Sequence, residues 1–234
     1  MTAGDARTRV GMLAPMQPEL QPLVRRLGLT LDGAVHRGRV GDVEIVAMLT
    51  NIGMAAAEDA ARRILEHAVD WVMVVGIAGG VDPSIEIGDI VAPEVVVDRA
   101  RGRSYRPHWP RGAAPGGTLS CGDDLILDPT HLARLAEEGV VALDMETAAV
   151  AAVCEEAGCP WSVFRAISDR PGEGLIDDAM FALTRPDGTA DTDALARYLA
   201  EKPERVGILT RLARDAAVAT EAAAAAAVRA CTAM

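Results

Sequence analysis

Aromatic side chains make up only 3% of this 234-residue chain, so the core has to be built from aliphatic residues. Half of all residues are hydrophobic, mostly Val, Ala, Leu and Ile. Basic charge is also scarce. Lys and Arg number 23 against 34 Asp and Glu, a formal net charge of -11. That argues against nucleic acid as the main partner, because phosphate binding needs clustered cations. The only dense basic stretch, Arg99 to Arg111, is short and broken by Gly and Pro, which is the composition of a solvated loop. Cys121, Cys154, Cys159 and Cys231 form no Cys-x-x-Cys pair and have no metal spacing. In a chain this long they read as reduced thiols of an intracellular protein. His36, His67, His108 and His131 are equally scattered and read as surface or loop residues, so no metal is expected. No apolar run approaches the ~20 residues of a bilayer span, and the first ten residues are too polar for a signal peptide. A soluble, cytoplasmic protein without membrane contact is the expectation. Neither a Gly-x-Gly-x-x-Gly fingerprint nor a Walker-type Gly-Lys-Ser/Thr is present, and no organic cofactor is implied. No Gly-x-Ser-x-Gly elbow occurs.

What is present is alternation. Arg9 to Ala14 reads as a short apolar strand and Pro15 to Leu27 as a loop entering a helix. Val35 to Val40 and Val43 to Thr50 flank Gly41-Asp42 like the arms of a hairpin. Asn51-Ile-Gly53 is a turn, and Met54 to Ala68 repeats apolar residues at helical spacing. Trp71 to Val75 is a continuous apolar strand of the kind buried on both faces, which Gly76-Ile-Ala-Gly-Gly80 should end. Ile87 to Asp98 reads as another strand, residues 100–117 as a loop, and Asp191 onward as helix ending in an alanine-rich stretch. With no repeat and no linker, one domain over residues 1–234 is expected. Its fold class is α/β, a three-layer α/β/α sandwich around a central mixed sheet.

Three carboxylates stand where such a fold can use them. Val140 to Leu143 reads as a buried strand and Asp144 to Glu156 as a helix of small residues, so Glu146 lies at a strand-to-helix junction. Trp161 to Ser168 is a second buried strand with Asp169 at its carboxyl end, the side on which open α/β sheets bind ligands. Glu19 lies in the first turn after the first strand. Each also has a plain structural reading: a helix-start charge for Glu146, a turn residue for Asp169, a helix-dipole partner for Glu19. The glycines of residues 76–80 serve either a tight turn or close approach to a ligand.

Taken together, Pro15-Met-Gln-Pro-Glu19, Val75-Gly-Ile-Ala-Gly-Gly-Val-Asp-Pro83 with Ile87-Gly-Asp-Ile-Val91, Leu143-Asp-Met-Glu-Thr-Ala-Ala149 and Phe164-Arg-Ala-Ile-Ser-Asp169 resemble the purine nucleoside phosphorylase/nucleosidase superfamily. The nearest branch is methylthioadenosine/S-adenosylhomocysteine nucleosidase. The resemblance runs from about residue 9 to 170 and implies a nucleoside phosphorylase-like fold and hydrolysis of the N-glycosidic bond of a 5′-substituted adenine nucleoside. It assigns Asp169 to protonating the purine at N7, Glu146 to the ribose 2′ and 3′ hydroxyls with Met145 against the sugar, and Glu19 to the attacking water. Ile52, Ala78, Gly79 and Ser168 match pocket-lining positions. Leu125 and Ile126 follow Gly122-Asp-Asp124 where the family stacks and hydrogen-bonds the base. In that role Asp169 must hold or share a proton near neutral pH. No metal or cofactor is implied, and a homodimer is, with a neighbour's loop closing the pocket.

Two departures from the branch concern specificity. The segment between the basic loop and Thr118 is shorter than usual. The region after Asp169, with Phe181-Ala-Leu-Thr-Arg-Pro-Asp-Gly188, resembles hopanoid-associated nucleosidases, which act on adenosine bearing a bulky 5′ group. Residues 99–117 and 171–188 have the composition of covers around a site, the second with apolar Leu175, Ile176, Met180, Phe181 and Leu183. Two alternatives stand beside hydrolysis. One is a phosphorylase of the same fold, against which the missing early Gly-Asp-Pro-x-x-Arg motif speaks. The other is a non-catalytic nucleoside-binding protein, against which the presence of all three acids speaks.

Overall fold

A computed structural model describes residues 8–109, 114–171 and 183–234. From the amino terminus, β1 (Arg9–Ala14) leads into α1 (Gln17–Leu27), and β2 (Thr30–Asp32), β3 (Val35–Val40) and β4 (Val43–Leu49) follow as a meander. α2 (Met54–Leu65) then connects to the long β5 (Trp71–Gly80). Four short strands come next: β6 (Ile90–Val91), β7 (Val95–Asp98), β8 (Arg103–Tyr105) and β9 (Thr118–Cys121). α3 (Pro129–Glu137), β10 (Val140–Asp144), α4 (Thr147–Ala157) and β11 (Trp161–Asp169) alternate after them, and α5 (Thr192–Glu201) and α6 (Val206–Thr232) complete the chain.

Among the described residues eleven strands join in one mixed sheet, in the order β2-β3-β4-β1-β5-β10-β9-β7-β8, with β11 along β5 and touching β6. The strands with near-continuous burial, β1, β5 and β11, sit together in the middle. Residues on alternate sides of these strands feed two cores. Leu13, Val72, Val74 and Val163 pack under α2 and α4, and Met12, Met73, Val75 and Ala166 under α1 and α6. The chain is thus a three-layer α/β/α sandwich. Alanine does what aromatics do elsewhere. Ala148, Ala149 and Ala151 of α4 and Ala219, Ala223, Ala224 and Ala227 of α6 are fully buried, so both helices lie close on the sheet.

Some elements differ from those expected. β5 does not stop at Val75 but runs through Gly80, because β11 pairs with it as far as Gly79 and β10 takes up Gly79 and Gly80 from the other edge. The strand expected over Ile87 to Asp98 is split into β6 and β7 around Pro93, which cannot donate to a ladder. α4 starts at Thr147 rather than Asp144, since Asp144 still pairs with Cys121 of β9. Of the basic loop, residues 110–113 lie outside the described residues, and the rest is no free cover. β8 pairs with β7. Further on, His108 donates its N–H to the Trp161 carbonyl and meets Trp71 edge-on, while Trp109 packs edge-on against Phe164. These contacts strap the loop to the start of β5 and β11, the end opposite Asp169. Among the described residues no helix is long and apolar enough to cross a membrane.

Close approach of α2 to the sheet depends on Gly11. A Cβ there would lie 2.7 Å from Ile64 Cγ1 and 3.3 Å from Val69 Cγ1. Gly11→Ala is expected to destabilise the fold by about 1–3 kcal/mol through overpacking. Ile64→Ala in the same chain should remove most of that added penalty. Urea unfolding of the two single variants and the double variant checks it, and strictly additive losses would show that the contact does not limit packing.

Candidate active site

The carboxyl ends of the central strands meet around Gly79. On one edge of β5, Leu143 pairs with Gly79 and Ala142 with Gly80, which delivers Asp144, Met145 and Glu146 to that point. On the other edge β11 runs parallel to β5 until the register slips between Ile167 and Asp169, leaving Asp169 opposite Gly79. An irregularity of this kind re-aims side chains at the end of a strand. A Cβ on Gly79 would come 3.1 Å from Asp169 Oδ2, so the glycine serves close approach and not a turn. Ser168 donates its hydroxyl to Asp169 Oδ1 at 2.7 Å.

Behind this point lies a buried charge cluster. Arg165 of β11 is completely buried. Its Nε and Nη2 reach Asp144 Oδ2 at 2.8 and 2.6 Å, Nη2 also donates to Glu146 Oε2 at 2.9 Å, and Nη1 stands 3.6 Å from Glu19 Oε1. Burial alone would lower the pKa of this guanidinium, but Asp144, Glu146 and Glu19 together raise it, so it is a fixed cation. Glu146 occupies the N-cap position of α4, yet its side chain leaves that helix, and Oε1 accepts the Gly53 N–H at 2.9 Å. Burial first and Asp144 second raise its pKa, while Arg165 lowers it.

Glu19, in the first turn of α1, is 1% exposed. Its Oε2 accepts the Met16 N–H and its Oε1 the Ile77 N–H, both at 2.7 Å, so the carboxyl joins the start of α1 to the middle of β5. Burial pushes its pKa up to about 8, opposed by Arg165 and reinforced by Glu146. The approach needs Gly76, because a side chain there would collide with both Glu19 Oε1 and Arg165 Nη1.

All these groups border one cavity of about 450 Å³. Glu19, Glu146, Asp169, Met145, Ile52, Ala78, Gly79, Ser168, Leu125 and Ile126 all line it, so the positions picked out in the sequence are brought together by the fold. Leu127, Pro129, Leu132 and, from α6, Leu212 and Ala216 extend its apolar wall. Arg99 also borders it, donating to the Asp124 carboxylate at 2.8 Å and to the Ser120 and Asp124 carbonyls. Of the suggested apolar cover, residues 172–182, including Leu175, Ile176, Met180 and Phe181, lie outside the described residues. Its described end is pinned to the mouth: the Ile52 N–H donates to the Pro186 carbonyl and the Gln17 N–H to that of Asp187. Among the described residues no group of three His, Cys, Asp or Glu is disposed to hold a metal; the acids here turn onto Arg165.

The sequence reading missed Arg165 and Asp144 as parts of the site. A signal existed, since an Arg in the apolar run Trp161 to Ser168 and an Asp ending the run Val140 to Leu143 are residues that are almost never fully buried unless paired.

The arrangement has relatives. A family model described as the phosphorylase superfamily matches residues 9–116 and 113–201. A 5′-methylthioadenosine/S-adenosylhomocysteine nucleosidase of Tolumonas auensis is 26% identical over 200 residues, 70% of this chain and 87% of the relative. One of Geobacillus kaustophilus is 29% identical over 174 residues, 58% of this chain and 72% of the relative. Among solved structures, the 5′-methylthioadenosine/S-adenosylhomocysteine nucleosidase of Helicobacter pylori shares the fold with a TM-score of 0.71 at 19% identity, over 97% of this chain and 99% of that one. Futalosine hydrolase of the same organism does so with a TM-score of 0.60 at 19% identity, over 89% and 98%. With a sheet and site of this design and a family match that spans most of its length, the chain belongs to the phosphorylase superfamily.

Proposed function

We propose that this protein is a nucleosidase, hydrolysing the N-glycosidic bond of an adenine nucleoside with a 5′ substituent of the methylthioadenosine or S-adenosylhomocysteine type. The observation that carries the reading is the convergence of Glu19, Glu146 and Asp169, from three distant segments, on one cavity with apolar walls. As the C1′–N9 bond stretches, positive charge grows on the ribose and negative charge on the purine. Asp169, beside Gly79, delivers a proton to N7, and the bonding pair leaves with the adenine. Glu146 accepts from the 2′ and 3′ hydroxyls while Met145 packs against the sugar. Ala78, Gly79, Ser168, Leu125 and Ile126 border the base, and Ile52 lies on the sugar side. Glu19 takes a proton from the water whose oxygen attacks C1′, giving the free sugar. A carboxyl with a pKa of about 8 is near the value at which a general base works best close to neutrality. No step calls for a metal or organic cofactor.

Phosphorolysis, the alternative within the superfamily, would place a phosphate dianion beside Glu19 and Glu146. With three acids already sharing Arg165, that site repels a further anion. The reading takes residues 1–234 as one cytoplasmic catalytic domain, paired as a homodimer in which a neighbouring copy closes the cavity.

Purified protein given methylthioadenosine, S-adenosylhomocysteine and adenosine, each with and without phosphate, should release adenine and a free reducing sugar at a rate insensitive to phosphate. Ribose 1-phosphate or its 5′-substituted counterpart among the products would make it a phosphorylase, and no adenine from any of them would leave the nucleoside-binding alternative.

Asp169→Asn should keep the fold and lose at least about a hundredfold in kcat, the lower end of what a positioned proton donor supplies. Near-normal turnover of adenine nucleosides by this variant would remove Asp169 from the mechanism.

Glu146→Gln should erode discrimination against 2′-deoxy substrates, since a hydrogen bond to a charged group contributes roughly 1.5–3 kcal/mol. Matched ribo and deoxyribo nucleosides compared on both proteins provide the check; an unchanged preference would leave Glu146 with a purely structural part.

A further inference from the structure

Arg165 faces more acid than one guanidinium can neutralise. Asp144, Glu146 and Glu19 all lie against it, and with all three ionised the cluster would hold two net negative charges away from water. Burial disfavours the ionised carboxylates, and arginine does not release its proton. That excess has to be relieved by a proton on at least one of the acids, and the way Arg165 divides its donors selects which acid takes it first. Nε and Nη2 both go to Asp144 Oδ2, at 2.8 and 2.6 Å, and Nη2 also serves Glu146 at 2.9 Å. Glu19 is left with Nη1 at 3.6 Å, too long for a hydrogen bond. Asp144 is itself fixed, since Thr147 donates both its backbone N–H and its hydroxyl to it, and the buried Cys121 thiol is hydrogen-bonded to it.

We infer that Asp144 is a positioning residue for the hydrolysis: by drawing the Nε–Nη2 edge of Arg165 onto itself it leaves Glu19 only the distant Nη1, and so sets the protonation of the group that handles the attacking water. This rests on the role given to Glu19 above. A Glu19 paired closely with Arg165 would be a permanently ionised and weak base. One held off the guanidinium and buried accepts a proton more readily, in keeping with its pKa of about 8. The ionisable groups that bear on Glu19 directly are Arg165 from β11 and Glu146 from the start of α4; Asp144 from β10 bears in turn on those two, and Cys121 from β9 lies against Asp144. From α6, packed on α1, Glu221 pairs with Arg25 and Arg26 at the far end of that helix. Asp144 needs no contact with substrate to act in this way.

The experiment combines the pH dependence of kcat/KM with an infrared titration of the carboxylic acid C=O stretch recorded without substrate, Glu19→Gln identifying the Glu19 band. A base works deprotonated, so wild-type activity should rise with pH through about 8. Asp144→Asn removes a negative neighbour and releases Arg165 toward Glu19. Both changes lower the Glu19 pKa, so the limb and the infrared midpoint should fall together by about one pH unit or more, and Asp144→Glu should restore them. Thr147→Val, a near-isosteric change that strips a donor from Asp144 and leaves its charge less compensated, should move both upward, and it serves if Asp144→Asn does not fold. A reduced kcat with an unmoved limb and midpoint, in whichever of these variants folds, would overturn the inference and leave Asp144 merely structural. The infrared arm needs no turnover. A shifted midpoint in a protein that cleaves no nucleoside would uphold the coupling between Asp144 and Glu19 and defeat the functional reading instead.

Discussion

A single guanidinium, sealed between the sheet and its helices, holds together three acidic side chains that would otherwise repel one another. Arg165 reaches β10 through Asp144, the start of α4 through Glu146 and the first turn of α1 through Glu19. Buried ion pairs rarely add net stability over a well-packed apolar core, but removing one partner leaves an uncompensated charge and costs about 3–5 kcal/mol. The cluster is thus poor as a stabilising device and demanding as a structural one: once Arg165 is present, its partners must be present too. That is the pattern of a group retained for what it positions.

The surrounding architecture follows from giving this cluster room. Gly76 lacks the side chain that would occupy the meeting point of Glu19 and Arg165, and Gly79 lacks the one that would press on Asp169. Both stay within β5, paired on its edges, so the glycine run shapes a strand that other groups can approach closely. The mixed topology matters equally. β11 brings Asp169 parallel to β5, while β10 arrives antiparallel and turns Glu146 toward the same place.

Fold and site also share parts. The amino end of α2 has its N–H groups taken by acids from far along the chain: Gly53 donates to Glu146 at 2.9 Å and Met54 to Asp123 at 2.7 Å. These are orphan donors that every helix start must satisfy. Here one of them is met by a carboxylate of the cavity, which orients Glu146 and fixes the Asn51 to Gly53 turn at the same time. The plain readings of Glu146 and Glu19 as helix-start acids were correct in position and incomplete in consequence, since each carboxyl also reaches across to another element.

The sequence by itself determined the alternation of strands and helices, the central place of the runs Arg9–Ala14, Trp71–Val75 and Trp161–Ser168, and the positions of Glu19, Glu146 and Asp169 at strand ends. Those features are local: apolar periodicity and the rule that ligands meet the carboxyl ends of strands need no knowledge of distant contacts. Where β5 ends was not local, because its glycines remain extended only through pairing with β10 and β11. Nor was the course of the basic loop, which is decided by Trp71, Trp161 and Phe164 at the far end of the sheet. Arg165 and Asp144 were visible as charges in apolar strands, but their partners were not. Which acid a guanidinium holds closely, and which it leaves to keep a proton, depends on whether the gap is 2.9 Å or 3.6 Å between residues of separate segments, and only the folded chain sets that.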